Sequence, residues 1–312
     1  MADSQLASRT GPGRGPRLPV MLGIAGDSGS GKSTLARGIA AALGADRSTA
    51  VCVDDYHRWD RRERLDRGIT ALHPDCNYLG VMDQHLQLLT LGQPVLHPVY
   101  DHRTGLLRRP VLVEPRDYVV VEGLLPLHGK AARACFDVTA YVDPPEPVRR
   151  MLKIRRDITE RGYTSSEVEA ELERREPDSA AFVRPQRRTA DIVVQFAPIA
   201  ERGESLEAPL SATVLLRPTV PHPDLADILS AEHQKAIHLK LLRDEDGKPV
   251  DALHIHAYAP GEVTRQIQEA IWSDLGTAEP LPGSLGLTGD GSRSEPLAIV
   301  QLILLYHLLQ AA

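Results

Sequence analysis

Gly26-Asp27-Ser28-Gly29-Ser30-Gly31-Lys32-Ser33 fits the pattern G-x-x-x-x-G-K-[ST] at every fixed position. The apolar run Val20–Ile24 precedes it and the helical pattern Lys32–Leu43 follows it, which is the strand–loop–helix context the pattern requires. Glycines in such a loop let backbone N–H groups turn inward around phosphate oxygens, and the helix N-terminus adds a partial positive charge. Lys32 reaches the β- and γ-phosphates of a nucleotide in that geometry, and Ser33 can hold Mg²⁺. The stretch Gly26–Ser33, with Thr34, is therefore read as the nucleotide-binding element. A glycine-rich turn without a ligand is the competing reading, and the agreement of both flanks speaks against it.

Working outward, short apolar runs alternate with longer helical patterns through the first 200 residues. Val20–Ile24, Ala50–Val53, Tyr118–Val121, Val138–Val142 and Ile192–Phe196 are strand candidates, short and apolar as in strands covered on both faces. Lys32–Leu43, Val81–Leu91, Pro147–Arg161 and Ser165–Arg174 read as helices between them. The alternation predicts an α/β fold of the P-loop NTPase type, a mostly parallel sheet flanked by helices. After about residue 200 the texture changes. Strands are expected at Ala212–Leu216, Ile237–Leu242 and Leu253–Tyr258, and helices near Gly261–Leu275 and Glu295–Leu309. The expected organisation is a flexible tail over 1–18, a kinase core over 19–200 and a smaller α+β extension over 201–312.

Composition bounds the partners. The 312 residues are 42% hydrophobic and 25% charged, ordinary for a globular protein with a sizeable core. A formal net charge of −6 gives no reason to expect nucleic acid or an anionic membrane as a partner. Cys52, Cys76 and Cys135 lack the spacing of a disulfide framework or a zinc site, so a reducing cytoplasm is the expected compartment. Residues 1–18 lack the apolar run of a signal peptide, and Leu297–Leu309 is too short to span a bilayer and reads as a buried helix.

Chemistry-bearing residues follow the strand ends, where open α/β sheets place ligands. Val51-Cys52-Val53 leads into Asp54-Asp55, and Asp54, the first polar residue off that strand, should face the phosphate loop as a general base. A cap or turn role for Asp54 or Asp55 reads equally well from spacing alone. The run Tyr118–Val121 ends in Glu122, either a carboxylate assisting Mg²⁺ or an ordinary strand-end residue. Lys153, Arg156, Asp157 and Arg161 share one helix face beside Met151, Ile154 and Ile158; taken alone, that face reads as a solvated surface.

Several long segments, in order, resemble phosphoribulokinases: GDSGSGKST (26–34), DDYHRWDR (54–61), ITALHPDCNY (69–78), PVYDHRTGLL (98–107), VVVEGLLPLH (119–128), KIRRDITERG (153–162) and PDSAAFVRPQRRTADIVV (177–194). The resemblance covers roughly residues 20–200 closely and is to the form found in cyanobacteria and plants. It implies transfer of the ATP γ-phosphoryl group to the C1 hydroxyl of ribulose 5-phosphate. It also implies Asp54 as base, assisted by Lys32, Lys153 and Arg156, with Mg²⁺ served by Ser33, Glu122 and Asp54. For the sugar phosphate it implies His57 and Arg61, with Asp157 and Arg161 in the helical cluster and Tyr100 and His102 lining the pocket. Arg58, Arg61, Arg156 and Arg161 offer the planar fork that binds two phosphate oxygens at once. Thiol-regulated relatives carry a cysteine in the phosphate loop where this chain has Ser30, and the chain has no cysteine after Cys135, so their redox switch is not expected.

Two other readings stand beside this one. A uridine or cytidine kinase shares the loop and sheet, but a nucleoside pocket wants aromatic stacking more than arginine clamps. A regulatory nucleotide-binding protein without turnover is the non-enzyme alternative. A homodimer is the default assembly.

Overall fold

The computed structural model describes residues 18–225, 229, 236–289 and 291–312. The tail expected over 1–18 lies outside the described residues except for Leu18. Strand β1 (Val20–Gly26) is buried along its whole length and runs at the centre of an eight-stranded sheet. β5 (Tyr118–Gly123) and β6 (Val138–Val142) lie parallel on either side of it, and β2 (Ser48–Cys52) lies outside β5. β7 (Ile192–Ala197) extends the parallel set beyond β6. β8 (Ser211–Leu216) then pairs antiparallel with β7, and the hairpin β9 (Ile237–Arg243) and β10 (Pro249–Ile255) completes the order β2-β5-β1-β6-β7-β8-β10-β9. The sheet is thus parallel through its first five strands, as the βα alternation predicts, and antiparallel in the last three.

Helices cover both faces. On one, α1 (Lys32–Leu43), α7 (Gly261–Asp274) and α8 (Glu295–Gln310) bury Leu35, Ile39, Ile271 and Ile303 against Leu22, Ile24 and Val214 of the sheet. On the other, α3 (Leu79–Thr90) sets Met82, Leu86 and Leu89 on Met21, Val119 and Val121. Helix α8 is buried on all sides from Pro296 to Leu308, as its all-round apolar sequence predicts. Among the described residues no helix is long and apolar enough to cross a membrane.

Local chemistry sets the remaining boundaries. Short α2 (Arg61–Asp66) starts at a capping box in which Asp60 accepts from the Glu63 N–H and Glu63 accepts from the Asp60 N–H. Helix α4 (Lys130–Arg133) is a single turn after β5. Helix α5 (Glu146–Arg161) carries Pro147 in its first turn and stops at Gly162, whose φ of 73° is left-handed. Helix α6 (Ser165–Asp178), capped by Thr164 and Glu167, outruns its expected end at Arg174 and passes into a wide turn over Ser179–Val183.

Two expectations shift. The strand expected at Leu253–Tyr258 is Pro249–Ile255, because the Asp244–Lys248 turn pairs Arg243 with Pro249 and starts the strand there. A separate two-stranded hairpin, β3 (Val95–Asp101) and β4 (Leu106–Val113), has no counterpart among the expected strands.

The β9–β10 turn is tied to the parallel strands by buried charge. Asp244 accepts from Arg217 Nη2 at 2.6 Å and from Arg187 Nη1 at 3.0 Å, while Arg187 Nε reaches Asp143, just past β6, at 2.7 Å. The Asp244 side chain is only 1% exposed, so its removal takes the nearest carboxylate from buried Arg217 and leaves buried Arg187 to Asp143 and Glu245. Asp244→Ala should lower unfolding free energy by about 3–5 kcal/mol, read as a fall in urea midpoint at unchanged slope.

Candidate active site

The register of three parallel strands assembles the site. Ile24 of β1 and Cys52 of β2 both pair with Glu122 of β5, so the residues just beyond them emerge together at one edge of the sheet. That edge carries the phosphate loop, Asp54 and Glu122, and opens into a cavity of about 570 Å³.

The loop is built to receive an anion. Gly31 caps α1 without a side-chain partner, and the first turn of α1 holds no acidic residue, leaving its N–H groups and partial positive charge for a ligand. Ser30 Oγ is buried without a hydrogen-bond partner. Gly29 has φ 87°, and a Cβ there would sit 2.6 Å from Lys153 Cβ, so only glycine lets the loop press against α5. Arg149 holds the loop from that helix, donating to Ser28 O at 2.9 Å beside the Asp27 carboxylate, which also accepts from Ser179 Oγ. Ser28, Lys32 and Ser33 line the cavity, whereas Asp27, Gly29, Ser30 and Gly31 form the turn behind them, between Gly26 at the end of β1 and Thr34 in the first turn of α1.

Asp54 stands across from the loop. Its Oδ1 accepts from the Leu124 N–H at 2.6 Å, and its Oδ2 lies 3.9 Å from Lys32 Nζ. One oxygen is anchored and the other faces the site. A Cβ on Gly123 would fall 2.8 Å from Asp54 Oδ1, so that anchor also needs a glycine. Glu122 accepts from Ser33 Oγ at 2.9 Å through Oε1, while its Oε2 is buried without a partner. Burial pushes the Glu122 carboxyl upward against the pull of Lys32. The orphaned oxygen, Ser33 Oγ and Asp54 form the hard-oxygen set that suits Mg²⁺ carried on phosphates.

Cations dominate the rest of the cavity. Asp157 of α5 is buried and engages three of them: Lys153 Nζ at 2.6 Å, Arg156 Nη2 at 2.8 Å and Arg161 Nη1 at 3.3 Å. Asp157 therefore organises the cluster, its two oxygens already occupied. Arg156 also reaches Ser28 Oγ at 3.4 Å, linking the cluster to the loop. Arg61 lines the opposite wall, donating to His102 O at 2.6 Å, and Tyr100 and His102 stand beside it on β3 and the following turn.

His57 is buried next to Tyr100, and burial together with Arg64 lowers its pKa to about 4, so it is neutral at pH 7. Asn77 Nδ2 donates to Ala71 O and His73 O, leaving Asn77 Oδ1 to accept from His57 Nδ1 at 2.7 Å. This network assigns the proton to Nδ1 and leaves Nε2 as an acceptor suited to a hydroxyl, not a positive charge for a phosphate.

Arg58 departs from expectation. Its Nε donates to Asn77 O at 3.1 Å and its guanidinium lies over the Tyr78 ring, outside the cavity. Arg64, Arg174 and Arg175 line the cavity as well, and no motif in the sequence points to them. Arg64 is buried and held by Trp59 O and Tyr100 OH at 2.8 and 2.6 Å; its place three residues after Arg61, behind the Asp60–Glu63 capping box, was the available signal. Arg175 pairs with Glu171 while its Nε is buried without a partner; nothing in its charged run marked it out from its neighbours.

The sheet and its anion-binding loop define a P-loop nucleotide-binding protein. The chain belongs to the phosphoribulokinase/uridine kinase family, whose model matches residues 21–204. It is 42% identical over 179 residues to a phosphoribulokinase of Synechocystis, covering 57% of this chain and 54% of that protein. A uridine kinase of Geobacillus kaustophilus is 36% identical over 185 residues, covering 57% of this chain and 86% of the relative. The chain spans about half the length of the curated phosphoribulokinases it matches. A phosphoribulokinase structure from Rhodobacter spheroides shares the fold with a TM-score of 0.58 at 17% identity, covering 83% of this chain and 96% of that one.

Burial and the neighbouring Arg175 lower the Lys153 pKa to about 8, against the opposing pull of Asp157. Lys153 should lose its charge as pH rises through that value, followed by NMR of the side chain. Asp157→Asn removes the stabilising anion and should move the titration lower still.

Proposed function

We propose that the chain is an ATP-dependent phosphoribulokinase that phosphorylates the C1 hydroxyl of ribulose 5-phosphate to ribulose 1,5-bisphosphate. The observation that carries this reading is Asp54 Oδ2 facing Lys32 at 3.9 Å across a cavity walled by guanidinium groups. Such walls suit a dianionic sugar phosphate, since each planar fork can bind two phosphate oxygens. The 42% identity to a protein named phosphoribulokinase supports the same acceptor.

In this mechanism the loop N–H groups and Lys32 hold the ATP phosphates. Ser33 and Glu122 would hold Mg²⁺, whose charge would screen that of the phosphates. Asp54 Oδ2 takes the proton of the C1 hydroxyl as its oxygen bonds to the γ-phosphorus and the bond to ADP breaks. The Leu124 N–H keeps Asp54 from swinging away. Lys153 and Arg156 stabilise charge on the transferring group, and Arg61, Arg64, Arg161 and Arg175 clamp the sugar phosphate. His57 accepts from a sugar hydroxyl. The reading also carries a cytoplasmic setting and a homodimer; the open edge of β9, where Leu241 is 80% exposed, is a candidate contact.

A nucleoside kinase is the second reading, favoured by the 36% identity to a uridine kinase of which the chain covers 86%. ADP release measured with ribulose 5-phosphate and with uridine, each with and without Mg²⁺, separates the two. Turnover is expected with the sugar phosphate and Mg²⁺ only; preference for uridine would replace this reading, and ATP binding without turnover would point to a regulatory protein. Asp54→Asn should lower turnover by about 10²–10⁴ while the Kd for ATP holds, and loss of ATP binding would remove Asp54 from the role of base.

A further inference from the structure

The β3–β4 hairpin brings Tyr100 and His102 to the cavity, yet it forms no strand pairing with the large sheet. At its base Val95 packs into the core beside Leu86 and Val119, and its cavity end is held by contacts from the segment that follows β2. Arg64 donates to Tyr100 OH, Arg61 donates to His102 O, and the Arg61 N–H donates to Gly105 O at 2.8 Å. Asp55 makes two more: its Oδ1 accepts from the Tyr100 N–H at 2.9 Å, and its Oδ2 lies 3.2 Å from His97 Nε2. The ring of Tyr56 packs edge-on against His97 at 5.2 Å, closing the joint from below.

These ties differ in one respect. Arg61 and Arg64 line the cavity, so an anionic ligand competes with the hairpin for their guanidinium N–H groups, while the Arg61 backbone N–H stays on Gly105 O. Asp55 does not line it, and its side chain is 16% exposed. Its bonds to the hairpin therefore persist when the guanidinium groups turn to a ligand. The charged acceptor also fixes the His97 ring: with Nε2–H donated to Asp55, the buried Nδ1 has no partner and is the lone-pair nitrogen. Through Tyr100 the joint reaches further, because that ring packs edge-on against both His57 and His102.

We infer that Asp55 is the positioning residue that docks the β3–β4 hairpin as a wall of the acceptor site, so that the adjacent carboxylates divide the work: Asp54 faces the ligand and Asp55 holds the wall. The inference rests on the reading of this cavity as the acceptor site. Asp55 touches no reacting atom; it acts through Tyr100 and His97.

The test uses the full chain and the variants Asp55→Ala and Asp55→Asn. Hydrogen exchange read by mass spectrometry over residues 95–113 should accelerate about tenfold or more in Asp55→Ala, with the large sheet unchanged. Asp55→Asn, which keeps one acceptor but forces His97 to bury an unpaired N–H or lose its bond, should fall between. In steady-state kinetics Asp55→Ala should raise the KM for ribulose 5-phosphate about tenfold while the KM for ATP and kcat stay within about twofold. Unchanged exchange over the hairpin in Asp55→Ala, acceleration spread through the whole chain, or a parallel rise in the KM for ATP would each overturn the proposal. Absence of wild-type turnover with ribulose 5-phosphate would instead overturn the acceptor reading, and the exchange result would still decide whether Asp55 docks the hairpin.

Discussion

Parallel pairing of β5 between β1 and β2 is the constraint on which the rest of this structure depends. Side-by-side alignment of Ile24, Glu122 and Cys52 sends three chain segments off the sheet at the same level. One segment is the anion-binding loop, one carries Asp54, and one carries Glu122 into Leu124, whose N–H anchors Asp54. A shift of β5 against either neighbour would separate these groups by a residue's rise or more, about 3.3 Å. Burial of Val119, Val120 and Val121 on both faces of the sheet makes such a shift costly, since it would move apolar side chains out of matched packing.

Around that edge the chain gathers more positive charge than it neutralises. Lys153, Arg156 and Arg161 would repel one another on α5 if Asp157 were absent, and burial would add to the cost of keeping Lys153 charged. One buried carboxylate makes the cluster tolerable without neutralising it. The remainder of the positive charge is available to an anionic ligand. The same economy appears at the phosphate loop, where Arg149 and Asp27 brace the backbone and leave the α1 N-terminus uncovered.

Legibility from sequence followed how local the controlling physics was. The phosphate loop and α1 were readable because glycine positions, lysine and flanking apolar runs lie within one short stretch. The parallel strands were readable for a similar reason: strands covered on both faces are continuous apolar runs, as in Tyr118–Val121 and Val138–Val142. The β3–β4 hairpin was not. Leu96, Val111 and Leu112 are exposed, Pro98 and Pro110 interrupt the two strands, and neither strand joins the main sheet, so neither alternation nor a buried run marked it. Arg58 and Arg64 illustrate the same limit within the site. Both lie in one charged stretch, but Arg58 turns to Asn77 and Tyr78 while Arg64 turns to Tyr100.

By itself the sequence determined the nucleotide loop, the α/β alternation and the placing of Asp54 and Glu122 at strand ends, because each is set by contacts between near neighbours in the chain. Only the tertiary structure decided which guanidinium groups face the cavity, which oxygen of Asp54 is free, which nitrogen of His57 is an acceptor, and that β8, β9 and β10 continue the same sheet. Those outcomes depend on partners far apart in sequence, such as Leu124 for Asp54, Asn77 for His57 and Tyr100 for Arg64, whose proximity comes only from packing.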